Sequence, residues 1–170
     1  MHTCLNIKPF LQRTRSFYSS SDGLPCDEIT CCGFDSDGNL FAGTQAGLAV
    51  FDGNSFCSFP HEGLKEETTF LFRDKDGILW AGADCTVYAI KKRKVIFSQS
   101  FPKSVLDMDS DGAGNLWLLT NNILYIKGEK EFEVYTKISE GYAHSFCAYG
   151  DKKIYVANPI AIMGLFGKRP

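Results

Sequence analysis

Residues 35–44 read DSDGNLFAGT, residues 74–83 read DKDGILWAGA, and residues 111–120 read DGAGNLWLLT. A degraded fourth copy, GDKKIYVAN, occupies 150–158. The apolar anchors Leu40, Leu79, Leu116 and Ile154 stand 39, 37 and 38 residues apart, and the residue after each is aromatic: Phe41, Trp80, Trp117 and Tyr155. A fixed period of this length marks a chain assembled from repeated supersecondary units.

Each copy resolves into short runs of β-forming residues separated by turn chemistry. In the first, Ile29–Phe34 ends at Asp35-Ser36-Asp37-Gly38, where Asp and Gly tolerate positive φ and favour a tight hairpin. Leu40–Thr44 follows; Gly47 then turns the chain into Leu48–Phe51, and Asp52-Gly53-Asn54 leads to Ser55–Phe59. The second copy gives Phe70–Arg73, Leu79–Ala83, Val87–Ile90 and Val95–Ser98. The third gives Val105–Met108, Leu116–Thr120, Ile123–Ile126 and Phe132–Thr136. The fourth gives Ser145–Tyr149, Ile154–Ala157 and Ile160–Leu165.

Four-stranded antiparallel units repeated at this spacing are the signature of propeller blades. A blade cannot bury both faces alone, so neighbours must stack around an axis. The anchors and their neighbouring aromatics are expected to alternate between the two faces and fill the gaps between blades. The sequence therefore predicts an all-β protein: a β-propeller of about four four-stranded antiparallel blades. A single domain is expected over 1–170, with residues 1–14 an N-terminal extension and blades at about 27–60, 67–99, 103–137 and 143–166.

The last copy lacks a fourth strand, whereas Arg15–Ser19 is an orphan strand-like run ahead of Asp22-Gly23-Leu24-Pro25. An unpaired sheet edge invites association, and pairing the two ends would remove it. Arg15–Ser19 is thus expected to close the fourth blade as its outer strand. A part of a larger ring, or a homodimer sharing one ring, are the alternatives.

Composition bounds the function. The 170 residues carry a formal net charge of −2, which gives no electrostatic footprint for nucleic acid. The basic run Lys91-Lys92-Arg93-Lys94 lies between two strand-like segments and reads as a solvated turn. The N-terminus shows no apolar segment of signal-peptide length, and no window has the 18 or so apolar residues of a membrane helix. Seven cysteines, an odd count, show no CxxC spacing, and Cys31 and Cys32 should point to opposite faces of one strand. The expectation is a reduced, cytoplasmic chain with no membrane span; the alternative is a fragment of an extracytoplasmic sensor domain.

The assembled phrases resemble the two-component regulator propeller repeat family, whose repeat runs D-G-L-P, a strand, D-x-x-G-N-L-W-x-G-T, then G-L and an aromatic-D-G turn. Here these are Asp22 to Pro25, Asp35 to Thr44, Gly47-Leu48 and Phe51-Asp52-Gly53. The second copy keeps Asp74, Gly77, Leu79, Trp80 and Gly82; the third keeps Gly114-Asn115-Leu116-Trp117 and Thr120. The resemblance covers about residues 15–158 and implies a ligand-binding or sensory propeller. Members usually form larger, often seven-bladed or doubled, extracytoplasmic input modules of bacterial sensor kinases, where they respond to carbohydrates. The repeat motif specifies turns and packing, so it carries over no functional residue.

No residue pattern points to chemistry. The D-x-D-G runs at Asp35 and Asp74 resemble the start of a calcium loop, but the twelfth positions are Ala46 and Cys85 rather than glutamate, so hairpins are expected. His2, His61 and His144 lack a convergent third ligand, and no nucleophile–base pair or phosphate loop occurs. No catalytic residue, metal or cofactor is therefore assigned. In a propeller, the loops between blades share one end of the ring with the loops between second and third strands. That end collects the candidate ligand-binding residues His61, Lys65, Glu66, Lys103, Asn121, Tyr142 and His144, beside Asp27, Glu28, Thr44, Gln45, Asp84 and Asn122. The leading functional reading is a non-catalytic sensory module that binds a small molecule or carbohydrate. A protein-binding scaffold is the second, and a propeller lyase or hydrolase the third.

Overall fold

The computed structural model describes residues 16–138, 142–150 and 153–166. Those residues form four antiparallel sheets, and the fold is all-β and of the propeller type. The first sheet has β1 (Ile29–Phe34), β2 (Leu40–Thr44), β3 (Gly47–Phe51) and β4 (Phe56–Ser58) in sequential order. The second has β5 (Thr68–Arg73), β6 (Leu79–Ala83), β7 (Thr86–Lys91) and β8 (Lys94–Ser100). The third has β9 (Val105–Ser110), β10 (Leu116–Thr120), β11 (Ile123–Lys127) and β12 (Phe132–Lys137). The fourth has three strands, β13 (Ser145–Tyr149), β14 (Lys153–Ala157) and β15 (Ile162–Phe166). First strands lie beside one another in order: β1 by β5, β5 by β9, β9 by β13.

The anchors divide between blade faces as the alternation of a strand requires. Phe41, Leu48 and Val50 leave the first blade to meet Leu79, Ala81, Tyr88 and Ile90 of the second. Trp80, Val87 and Ala89 then meet Met108, Leu118, Tyr125 and Phe132. Trp117, Leu119 and Leu124 meet Phe146, Ile154 and Val156. Each seam thus joins the second-strand aromatic of one blade to a face of the next that mixes aliphatic side chains with an aromatic: Tyr88, Tyr125 with Phe132, or Phe146. Fully burying one such side chain contributes about 1.5–3 kcal/mol, so a seam of several outweighs any single hydrogen bond in it.

Polar latches complete the seams. Thr30 Oγ1 donates to the Thr68 carbonyl, and Thr69 Oγ1 donates to the Val105 carbonyl at 3.0 Å. At the third seam, Asp107 Oδ2 accepts from Ser145 Oγ at 2.9 Å and from the Phe146 amide at 3.2 Å. Asp109 Oδ2 accepts from the Ala148 amide at 2.9 Å. Between outer strands, Gln99 Oε1 accepts from the Phe132 amide and Gln99 Nε2 donates to the Phe132 carbonyl, at 2.7 and 3.0 Å.

The recurrent aspartates are turn residues. Asp35 Oδ1 accepts from the amides of Asp37 and Asn39, both at 2.9 Å, and Asp74 and Asp111 repeat the pattern. Their second oxygens are taken by Asn39, Trp80, Asn115 and Trp117. These contacts give the aspartates the hairpin role expected from the sequence.

Over the described part of the strand expected at Arg15–Ser19, residues 16–19, no strand forms. Arg15 lies outside the described residues, residues 16–18 are not in a strand, and Ser19 caps a 3-10 turn, Ser20–Asp22. The Tyr18 ring packs edge-on against Phe51 and Phe56, at centroid distances of 5.2 and 5.5 Å. Those partners belong to the first blade, so aromatic packing holds this segment where backbone pairing with the fourth was expected. The fourth blade also starts its last strand two residues later than expected, because Asn158 Oδ1 accepts from the amides of Ile160 and Ala161 and turns the chain there.

Candidate functional site

The end of the blades that carries the candidate residues is knitted together by main-chain hydrogen bonds. The Gln45 amide donates to the Glu28 carbonyl at 3.1 Å, and the Asp84 amide to the Glu67 carbonyl at 3.3 Å. The Val105 amide bonds the Asp84 carbonyl at 2.8 Å, and the Ala143 amide the Asn121 carbonyl at 3.0 Å. The polar side chains of these loops are therefore carried on a braced backbone.

The candidate residues fall into three groups. The Ala143–Asn121 bond sets the linker that carries Tyr142 and His144 beside the β10–β11 turn that carries Asn121, and the His144 amide donates to the Ala157 carbonyl at 2.9 Å. Tyr142 is 71% exposed and His144 is exposed. Lys65 closes the 3-10 turn Glu62–Leu64 and pairs with Glu62 at 2.7 Å, while Glu66 and Lys103 are exposed on neighbouring linkers. His61 differs from the rest. Its ring packs edge-on against Tyr88 at 5.3 Å, and its Nδ1 is buried without a hydrogen-bond partner. It acts as part of the first seam more than of the rim.

Two other loop residues are structural. Thr44 and Thr120 are buried, and their hydroxyls donate to the carbonyls of Gly47 and Ile123 at 2.8 and 3.2 Å. They hold the second-to-third-strand turns. Asp84 is in the left-handed region at φ 47°.

Sequence reasoning missed a groove at the opposite end of the first blade. It has a volume of about 380 Å³ and is lined by Phe34, Asn39, Leu40, Phe51, Asp52 and Arg93, with Gly38 and Gly53. Arg93 sits in the β7–β8 turn at φ 58° and reaches back to the first blade, donating to Asn39 Oδ1 at 2.9 Å and the Phe51 carbonyl at 3.4 Å. The backbone amides of Ser55 and Asn54 hold the Asp52 carboxyl below the usual carboxylate range, with Arg93 adding a smaller push in the same direction. The only sequence signal was the basic run at 91–94, which reads equally as a solvated turn.

Among the described residues, no helix is long and apolar enough to cross a membrane. No known protein-family profile matches the chain, and no curated protein matches it. Solved structures do. The extracellular domains of two hybrid two-component systems from B. thetaiotaomicron superpose with TM-scores of 0.66 and 0.67 at 20% and 21% identity. The matches cover 81% and 84% of this chain but 20% and 22% of those domains, so the chain spans about a fifth of their length. The WD40 repeats of RRP9 superpose at TM-score 0.63 and 12% identity, over 82% of this chain and 51% of that one. At these identities the similarity establishes a propeller-type fold.

Proposed function

We propose that this chain is a non-catalytic sensory propeller module whose loops bind a small molecule or carbohydrate. The observation that supports the reading is the Ala143–Asn121 hydrogen bond, which joins the linker bearing Tyr142 and His144 to the turn bearing Asn121. An exposed aromatic beside an amide and an imidazole suits a sugar, which offers one apolar ring face and a belt of hydroxyls. Lys65, Glu66 and Lys103 extend the same rim. The likeness in fold to extracellular sensor domains, together with the D-G-L-P phrase and the three D-x-x-G-x-L-aromatic repeats, supports a sensory role. It also favours an extracytoplasmic setting over the cytoplasmic one that the cysteines suggest.

The test is calorimetric titration of the chain with a panel of neutral and acidic oligosaccharides, alongside a Tyr142→Ala, His144→Ala double variant. We expect at least one glycan to bind and the double variant to bind it at least tenfold more weakly, with an unchanged Tm. Binding by no glycan, or equal binding by the double variant, would overturn the assignment.

A further inference from the structure

We propose that the groove lined by Phe34, Leu40, Phe51, Asp52 and Arg93 binds a free α-amino acid with an apolar side chain, its carboxylate on Arg93 and its ammonium on Asp52. The groove lies at the opposite end of the blades from Asn121, Tyr142 and His144, so this site is separate from the rim and does not rest on it. Its volume of about 380 Å³ is at the small end of the range of about 300–1,000 Å³ for ligand pockets, which suits a molecule of that size.

Arg93 and Asp52 bring opposite charges to one groove without neutralising each other. Arg93 is near enough to act on the Asp52 carboxyl, yet among the described residues no ion pair joins the two. A single nitrogen of Arg93, Nη2, makes both of its hydrogen bonds, to Asn39 Oδ1 and the Phe51 carbonyl. Among the described residues Nη1 and Nε have none, which leaves donors of the planar fork for a carboxylate. On Asp52, Oδ1 accepts from the Asn54 and Ser55 amides at 2.8 and 2.9 Å. Oδ2 meets only the Cys57 thiol, at 4.0 Å, and keeps acceptor capacity for an ammonium.

The rest of the wall is apolar. Phe34 is 55% exposed, and Leu40 and Phe51 are half-buried. An aliphatic or aromatic arm laid on these side chains leaves water, and an aromatic one also gains a ring contact. A simple anion would pair with Arg93 but face the Asp52 carboxylate, and a simple cation would face Arg93. Neither would use Phe34. A zwitterion with an apolar arm is the class that satisfies all three features.

The chain presents Arg93 at a backbone cost. Lys91 pairs with Lys94, so Lys92 and Arg93 form the turn between β7 and β8, at φ 50° and 58°. Turns with positive φ at both central residues prefer Asn and Gly, which enter the left-handed region most easily. This turn belongs to the second blade, whereas Asn39, Phe51 and Asp52 belong to the first. The two halves of the site therefore meet only when those blades are packed together.

Titration of the full chain with L-leucine and with L-phenylalanine, followed by amide NMR shifts and calorimetry, tests this. Both should bind saturably and shift the amides of Phe34, Leu40, Phe51 and Arg93. N-acetyl-L-leucine lacks the ammonium, L-leucinamide the carboxylate and glycine the apolar arm. Each should bind at least about tenfold more weakly than L-leucine. Asp52→Asn keeps an acceptor for the Asn54 and Ser55 amides, and Arg93→Gly suits the φ of its turn, so both variants should fold. Both should lose about tenfold or more in affinity for L-leucine. No saturable binding of either amino acid, shifts confined to the rim around Asn121 and His144, equal binding of the acetylated or amidated analogue, or unchanged affinity in either variant would each overturn the proposal.

Discussion

The indole Nε1 of Trp80 donates to Asp74 Oδ2 at 2.8 Å, tying the second strand of the blade to the turn before it. Trp117 and Asp111 repeat the contact at 3.1 Å. In the first blade Phe41 replaces the tryptophan, and Asn39 Nδ2 donates to Asp35 Oδ2 at 2.7 Å. The repeat motif is thus a carboxylate satisfied by turn amides and by whichever side-chain donor its blade supplies.

Asp74→Ala should cost about 3 kcal/mol, because it strands the Asp76 and Ile78 amides and the Trp80 indole near a buried site. Trp80→Phe, which copies the first blade, should cost only about 1–2 kcal/mol, from one hydrogen bond and some lost ring area. Urea unfolding of both variants checks the order. Equal losses would mean that the turn amides find other partners.

Asp111 makes stability depend on acid. Burial pushes its carboxyl up, but hydrogen bonds from Asn115, Trp117 and the Asn115 and Ala113 amides outweigh that, leaving it below its ordinary value of 3.8. A carboxyl depressed in the folded state contributes stability that is complete above its unfolded pKa of about 4 and is lost as pH falls through the folded value. Asp111→Asn should therefore flatten the decline in Tm below about pH 4 while lowering Tm at pH 7. An unchanged acid limb would disprove the linkage.

Gly23 has φ 94°, and a Cβ there would lie 1.8 Å from the Phe56 carbonyl oxygen. Gly23→Ala must lift the 3-10 turn and Leu24 off the first blade, at a cost of about 2 kcal/mol or more. Thermal unfolding should show a lowered Tm, whereas Gly53→Ala, with open space around its Cβ, should cost less.

Gln99→Met keeps the bulk of the side chain but leaves the Phe132 amide and carbonyl without their amide partner. A loss of about 1–2 kcal/mol is expected. Amide exchange at Phe132 should quicken more than at residues of β10.

The sequence made the blades readable because the turn residues and the apolar alternation act within a few residues of each other. Leu40–Thr44, Leu79–Ala83 and Leu116–Thr120 appear as strands with the expected bounds, since each is fixed by an Asp-Gly turn on one side and a β-branched or small residue on the other. The division of Leu79 and Trp80 between opposite faces follows from the same local rule. What depended on distant contacts was not legible. Residues 16–18 have strand-like composition, but Tyr18 finds Phe51 and Phe56, more than 30 residues away, and nothing local announces that choice. The site was legible only as a location: the rim placement of Tyr142 and His144 follows from topology, whereas the packing of His61 on Tyr88 and the reach of Arg93 to Asn39 depend on tertiary distance.

Because each seam joins only neighbours in sequence, a single chain behaves as a short linear array whose stability sums over three joints. Among the described residues, the second and third blades have a seam on each face and the first and fourth a seam on one. Amide exchange should therefore slow from the ends toward β6 and β10, with terminal blades opening without the whole.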